Sequence, residues 1–305
     1  MSGRAESHLN PNQSGEPAEG HVYRRKYTQY EGHRQGRGRS YIALIVHSLR
    51  RALGIRRKWT SKILPIFLYG AAFIPVIGFI AIPAIVGIEG FEFGSADLFS
   101  ALSMILLIFA AAAAPEMLCD DRRENVLPLY YSRGLSRWDY LAAKMLSLGG
   151  IMLSVSLLPA TLLFLGNTFL QDAPFSYLSS NADEFPRIVA TAFVLSLYYS
   201  AVGLAVASMT ERKGVASAIV IGVFLAGSAI ANGLYESIDQ SWSSIFVLIA
   251  MMEIPDGILV LMFDYSPSMS LPVRSGIEPL WFLASIGGFT LVSALLLYRR
   301  YLRED

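Results

Sequence analysis

Six uncharged apolar runs divide the chain, at residues 63–88, 98–114, 145–170, 188–209, 215–235 and 279–298. Each is close to or beyond the ~20 residues that carry a helix across a bilayer. Hydrocarbon offers no partners for backbone N–H and C=O groups, so such runs must satisfy them internally, as helices. The pattern predicts an all-α membrane protein with six transmembrane helices, the first one kinked at Pro75 and Pro83.

Two further segments have a different pattern. Residues 41–59 place Ile42, Ile45, Val46, Leu49, Ala52 and Leu53 on one side at helical spacing, with His47, Arg50, Arg51, Arg57 and Lys58 mainly elsewhere. This predicts an amphipathic interfacial helix on the inner leaflet, within a segment 41–62 that leads into the first span. A helix packed on a soluble partner is the alternative. Residues 236–278 are apolar but interrupted by Glu253, Pro255, Asp256 and Gly257. Asp239 and Asp256 bracket too short a run for a comfortable span, so a re-entrant or surface-lying pair of short helices is expected there.

Charge then orients the bundle. With the N-terminus inside, the inner segments 1–62, 115–144, 210–214 and 299–305 hold 13, 5, 2 and 3 of the 25 Lys and Arg residues. Only Arg187 and Arg274 fall outside, and this asymmetry predicts cytoplasmic termini in a multi-pass protein of the inner cell membrane. Residues 1–40 lack apolar periodicity and read as a disordered cytoplasmic tail without a secretory signal. Residues 300–305 are expected to form a second cytoplasmic tail after a six-helix transmembrane domain over 63–299. A net charge of +1 supplies no field for nucleic acid, and a single cysteine, Cys119, excludes an internal disulfide.

The inner loop 119–139, CDDRRENVLPLYYSRGLSRWD, concentrates the chemistry. Positive-inside control requires only Lys and Arg, yet Asp120, Asp121 and Glu124 are interleaved with Arg122 and Arg123. The following YYSRGL adds aromatic and aliphatic surface, a combination suited to docking. Residues 115–127 extend the second helix beyond the membrane or form a short separate one, which Pro128 interrupts; Gly134 permits a turn, and Ser136 with Asp139 three residues on forms a capping box for the third span. A solvated loop without a partner is the plainer reading.

The stretch EMLCDDRRENVLPLYYSRGLSRWDYLAAKML resembles the segment between the second and third membrane helices of ABC type-2 permeases. The matching positions are Arg123, Glu124, Leu127, Pro128, Leu129, Arg133, Leu135, Ser136, Arg137, Tyr140, Ala143 and Lys144. The resemblance covers about residues 41–300 and includes the leading basic helix and the broken segment before the last span. It implies that 119–139 is a coupling loop seated on a separate ATP-binding subunit. Its contact residues would be Asp120, Asp121, Arg122, Arg123, Glu124, Leu127, Pro128, Arg133, Ser136 and Arg137. The leading helix, with Arg50, Arg51 and Arg57, would sit beside it. ATP and Mg²⁺ would be held by that subunit, and a second permease, identical or homologous, would complete the complex.

Rival chemistries have weaker support in the residues. The chain has no Gly-x-x-x-x-Gly-Lys-Ser/Thr phosphate loop, and its four histidines all precede the first span. An ion-coupled carrier needs ionisable groups within its spans, and here Glu116, at the inner boundary, is the nearest candidate. A lipid-modifying enzyme would use Asp120, Asp121 and Glu124 to hold Mg²⁺, against the competing charge of Arg122 and Arg123. Tyr198 and Tyr199 are candidate pathway residues in the fourth span, with hydrogen bonding between helices as the alternative. Gly214, Ala218, Gly222 and Ala226 form a small-residue ridge for close helix packing, within one subunit or between two.

Overall fold

The computed structural model describes residues 36–55, 59–86, 94–132, 134–171, 173–238, 243–265 and 270–302. Its elements are α1 (Arg37–Ala52), α2 (Thr60–Val86), α3 (Ser95–Arg123), α4 (Leu127–Tyr131), α5 (Arg137–Leu170), α6 (Pro174–Ser180), α7 (Glu184–Ala207) and α8 (Lys213–Ser237). A 3-10 helix (Ser243–Ile249), α9 (Ile254–Phe263), α10 (Leu271–Ser275) and α11 (Leu280–Leu302) complete the order. Six of these, α2, α3, α5, α7, α8 and α11, are long and apolar enough to cross a membrane. The protein is an all-α membrane protein, with six candidate membrane-spanning helices among the described residues. The expected tail up to residue 35, Arg57, Lys58, Arg133 and residues 303–305 lie outside the described residues.

Helix α7 is the centre of the bundle, with α3, α5, α8 and α11 packed around it. Small residues bring α7 and α3 close together. A Cβ on Gly203 of α7 would stand 3.3 Å from the Cβ of Ala110 and 3.5 Å from that of Ala114. The alanine run of α3 is therefore a packing surface, because van der Waals contact rather than water exclusion holds helices together in lipid. The ridge Gly214, Ala218, Gly222 and Ala226 points the other way: Ala216, Val220, Phe224 and Ser228 are the buried face of α8, and the ridge is exposed.

Of the two expectations for residues 115–127, extension of the second helix is the one found up to Arg123. Helix α3 passes through Pro115 and continues to Arg123. Proline removes one intrahelical hydrogen bond, but the turns that follow are held by ion pairs to neighbouring helices. Helix α1 is amphipathic, and it runs Arg37–Ala52 rather than over 41–59. Gly54, at φ 66°, lies two residues beyond its end, in the left-handed region that glycine adopts without a Cβ penalty. Leu44, Ser48 and Ala52 are buried where α1 packs on α5 and α3, whereas Ile42 remains 61% exposed. The apolar side of α1 is thus largely covered by the protein itself.

The broken segment before the last span folds as a bent pair. The 3-10 helix and α9 meet at 98°. The break leaves backbone groups outside any regular ladder, and side chains from three helices bind them. Tyr198 Oη of α7 donates to the carbonyl of Met251 at 3.0 Å, Met252 N donates to Ser228 Oγ of α8 at 2.8 Å, and Ser285 Oγ of α11 donates to the carbonyl of Leu248 at 2.5 Å. Irregular backbone is tolerated at membrane depth when it is buried in protein and satisfied in this way. Helix α9 closes on α11 through Gly257, where an added Cβ would lie 2.2 Å from the ring of Phe282.

Candidate coupling site

The loop between the second and third spans is built from local signals. Asn125, at φ 50°, turns the chain out of α3. Pro128 occupies the first turn of α4, where its missing N–H costs nothing. It therefore opens a short helix instead of only interrupting one. Gly134 takes φ 76°, a left-handed turn. The capping box at α5 is formed as expected: Asp139 N donates to Ser136 Oγ at 3.1 Å, and Ser136 N donates to Asp139 Oδ2 at 2.8 Å. Arg37 of α1 joins this cap, its Nε 2.9 Å from Asp139 Oδ2 and its NH2 3.2 Å from Ser136 Oγ.

Tertiary packing divides the charged run into two sets. Asp120 and Asp121 face inward. Asp121 receives Lys144 Nζ at 2.7 Å, Arg51 NH1 at 2.5 Å and the Tyr140 hydroxyl at 3.0 Å. Asp120 receives Arg51 NH2 at 2.5 Å, Lys213 Nζ at 2.8 Å and Arg123 NH2 at 3.2 Å. Lys213 also pairs with Glu116 at 2.8 Å, and Lys144 donates to the carbonyl of Met117 at 2.9 Å. Four helices, α1, α3, α5 and α8, are joined through this cluster. Burial disfavours the charge on Arg51, but its contacts with Asp120 and Asp121 outweigh that and raise its pKa above the ordinary value.

The outward set consists of Arg123 and Glu124, whose side chains are 60% and 56% exposed, with Pro128, Ser132 and the 63% exposed Leu129. Leu127, Ser136 and Arg137 are half-buried, and the Arg137 guanidinium lies 6.0 Å over the ring of Tyr131. Arg122 donates to the carbonyl of Ser208 and stands 3.6 Å from Glu211, linking α3 to the 208–212 connection. Arg50 is exposed on α1, while Arg51 belongs to the buried cluster.

The carboxylates grouped as neighbours in sequence are therefore not one surface. Asp120 and Asp121 are withdrawn from it because cations from three other helices reach them. Lys213 and Tyr140 also hold the cluster, and contacts across 93 and 19 residues leave no local signal in the chain. Tyr198 and Tyr199 are buried side by side. Tyr199 stacks on Phe224 with ring centroids 5.5 Å apart, and Tyr198 is committed to Met251. Tyr198 thus bonds to the break between the 3-10 helix and α9 rather than to a neighbouring helix.

The sequence model of the ABC-2 family transporter proteins matches residues 96–298, about two-thirds of the chain. The chain belongs to that family. No curated protein matches it. It is a multi-pass membrane protein, the membrane permease subunit of an ABC transporter.

Proposed function

We propose that this permease works as an ATP-driven exporter, paired with a separate ATP-binding subunit that docks on the α3–α4 loop. The loop lies on the cytoplasmic side in this reading, with both termini inside, in line with the distribution of basic residues. Nucleotide and Mg²⁺ belong to the docked subunit, and the permease itself carries out no chemistry. A second permease copy completes the complex.

The observation that supports this reading is an exposed, mixed-charge rim mounted on a buried ionic clamp. Arg123, Glu124, Pro128, Leu129 and Ser132 face outward from a turn whose base, Asp120 and Asp121, is fixed to α1, α5 and α8. A push on the rim is then delivered to four helices at once, two of them continuous with the membrane core on either side of the loop. Such a push biases the bundle between two states. The lipid-enzyme reading loses support, because the carboxylates it needs for Mg²⁺ are occupied by guanidinium and ammonium groups.

The test is capture of the cognate ATP-binding subunit by wild type and by Arg123→Glu/Leu129→Glu in nanodiscs. Like charge and a desolvated carboxylate at a fitted interface should weaken capture at least about tenfold without changing insertion. Equal capture by both proteins would rule out this loop as the docking site.

A further inference from the structure

We infer that the connection between α7 and α8, residues 208–212, is a second contact for the ATP-binding subunit, an inference that rests on that subunit docking at the α3–α4 rim. The two elements form one continuous surface. Arg122, next in the chain to the exposed Arg123, donates to the carbonyl of Ser208 and stands 3.6 Å from Glu211. Cys119, about one turn earlier on α3, directs its thiol at the carbonyls of Thr210, at 3.4 Å, and Ala207, at 3.8 Å. Lys213, which opens α8, pairs with Glu116 and Asp120 of α3, each at 2.8 Å. The connection is therefore held at the level of the charged end of α3, where the rim begins.

A short connection between packed helices is ordinary and places no demand on its side chains beyond turning the chain. This one presents an apolar group among charges of both signs. Met209 is 57% exposed, the Glu211 side chain is 59% exposed, and Arg212 is exposed beside it. The rim offers the same three chemistries in Leu129, Glu124 and Arg123. Apolar contact bordered by charge is the make-up of a specific protein interface, in which complementary charges set register and suppress wrong partners. A layer of anionic lipid headgroups fits this connection less well, because Glu211 would face phosphate.

The second contact gives the docked subunit a hold on the fourth and fifth spans. The rim belongs to the link between α3 and α5, whereas residues 208–212 join α7, around which the bundle packs, to α8. Lys213 passes the same displacement to Asp120, the carboxylate that Arg51 of α1 also holds. A subunit seated on both elements moves the ends of α3 and α7 together.

The experiment uses the full-length permease in nanodiscs and its cognate ATP-binding subunit. Met209→Glu/Arg212→Glu should weaken capture at least about tenfold, by adding like charge and a desolvated carboxylate to a fitted surface. Arg299→Glu, at an exposed position on α11, should capture like wild type. Arg123→Glu/Leu129→Glu reports on the rim separately. Weakened capture by the rim variant alone overturns the second contact and leaves the rim reading intact. Wild-type capture by both variants overturns the rim reading and this inference with it. A loss at Arg299→Glu as large as at the connection marks bulk charge and also overturns the inference.

A second measurement avoids added charge. Met209→Cys should react readily with a soluble maleimide in the free permease, against a native Cys119 that is buried. In the saturated complex its reaction should slow at least about tenfold, because interface centres exclude water. An unchanged rate in the complex overturns the inference. So does slow reaction in the free permease, which would place the side chain among lipid headgroups.

Discussion

Lys144 of α5 stands 2.7 Å from Asp121 of α3, with side chains 1% and 0% exposed. Two opposite charges so deeply enclosed pay a large desolvation cost, which their mutual attraction offsets only with additional hydrogen bonds. Here Arg51, Tyr140 and the carbonyl of Met117 supply them. The pair ties the second span to the third just above the loop that joins them.

Removing one partner should therefore cost more than removing both. Lys144→Met leaves Asp121 with Arg51 and the Tyr140 hydroxyl and should destabilise the protein by about 3–5 kcal/mol. The double variant Asp121→Leu/Lys144→Met should recover part of that loss. Unfolding midpoints in nanodiscs measure both, and a double variant no more stable than the singles would argue against a self-contained pair.

Gly257 is required for the contact between α9 and α11. A Cβ there would lie 2.2 Å from the Phe282 ring, so Gly257→Ala should lower stability by about 1–3 kcal/mol through overpacking. Phe282→Ala in the same chain should relieve the clash while leaving a cavity of its own. Unchanged thermal stability of Gly257→Ala would show that the two helices separate freely.

Ser136→Ala removes an oxygen that caps α5 and accepts from Arg37. The loss should be about 1 kcal/mol, with faster hydrogen exchange confined to the first turn of α5 and the start of α1. Ser136→Thr should retain most of the stability. A uniform change in exchange across the bundle would contradict this local role.

Sidedness can be read by labelling. Ser132 and Ser180 are exposed in the α3–α5 and α5–α7 connections, while the native Cys119 is buried. A cysteine at position 180 should react with an impermeant reagent on intact cells, and one at position 132 only after the membrane is opened. The reverse result would invert the topology.

The chain by itself determined the spans, because crossing a bilayer is a one-dimensional requirement: enough consecutive apolar residues, with charge kept at the ends. The break at Pro255–Asp256–Gly257 and the cap at Ser136 were legible for the same reason, since both arise from interactions within a few residues. Helix ends were less so. Residues 114–123 continue α3 because Arg51, Lys144 and Lys213, remote in sequence, pair with its carboxylates. Only tertiary structure decided which members of the Asp120–Glu124 run face outward, as helical spacing describes faces but not what covers them. The grouping of Arg122, Arg137 and Arg300 around one pocket is of the same kind. Arg122, Arg137 and Arg300 are far apart in sequence, and only the packing of α11 against the start of α5 brings their charges to one place.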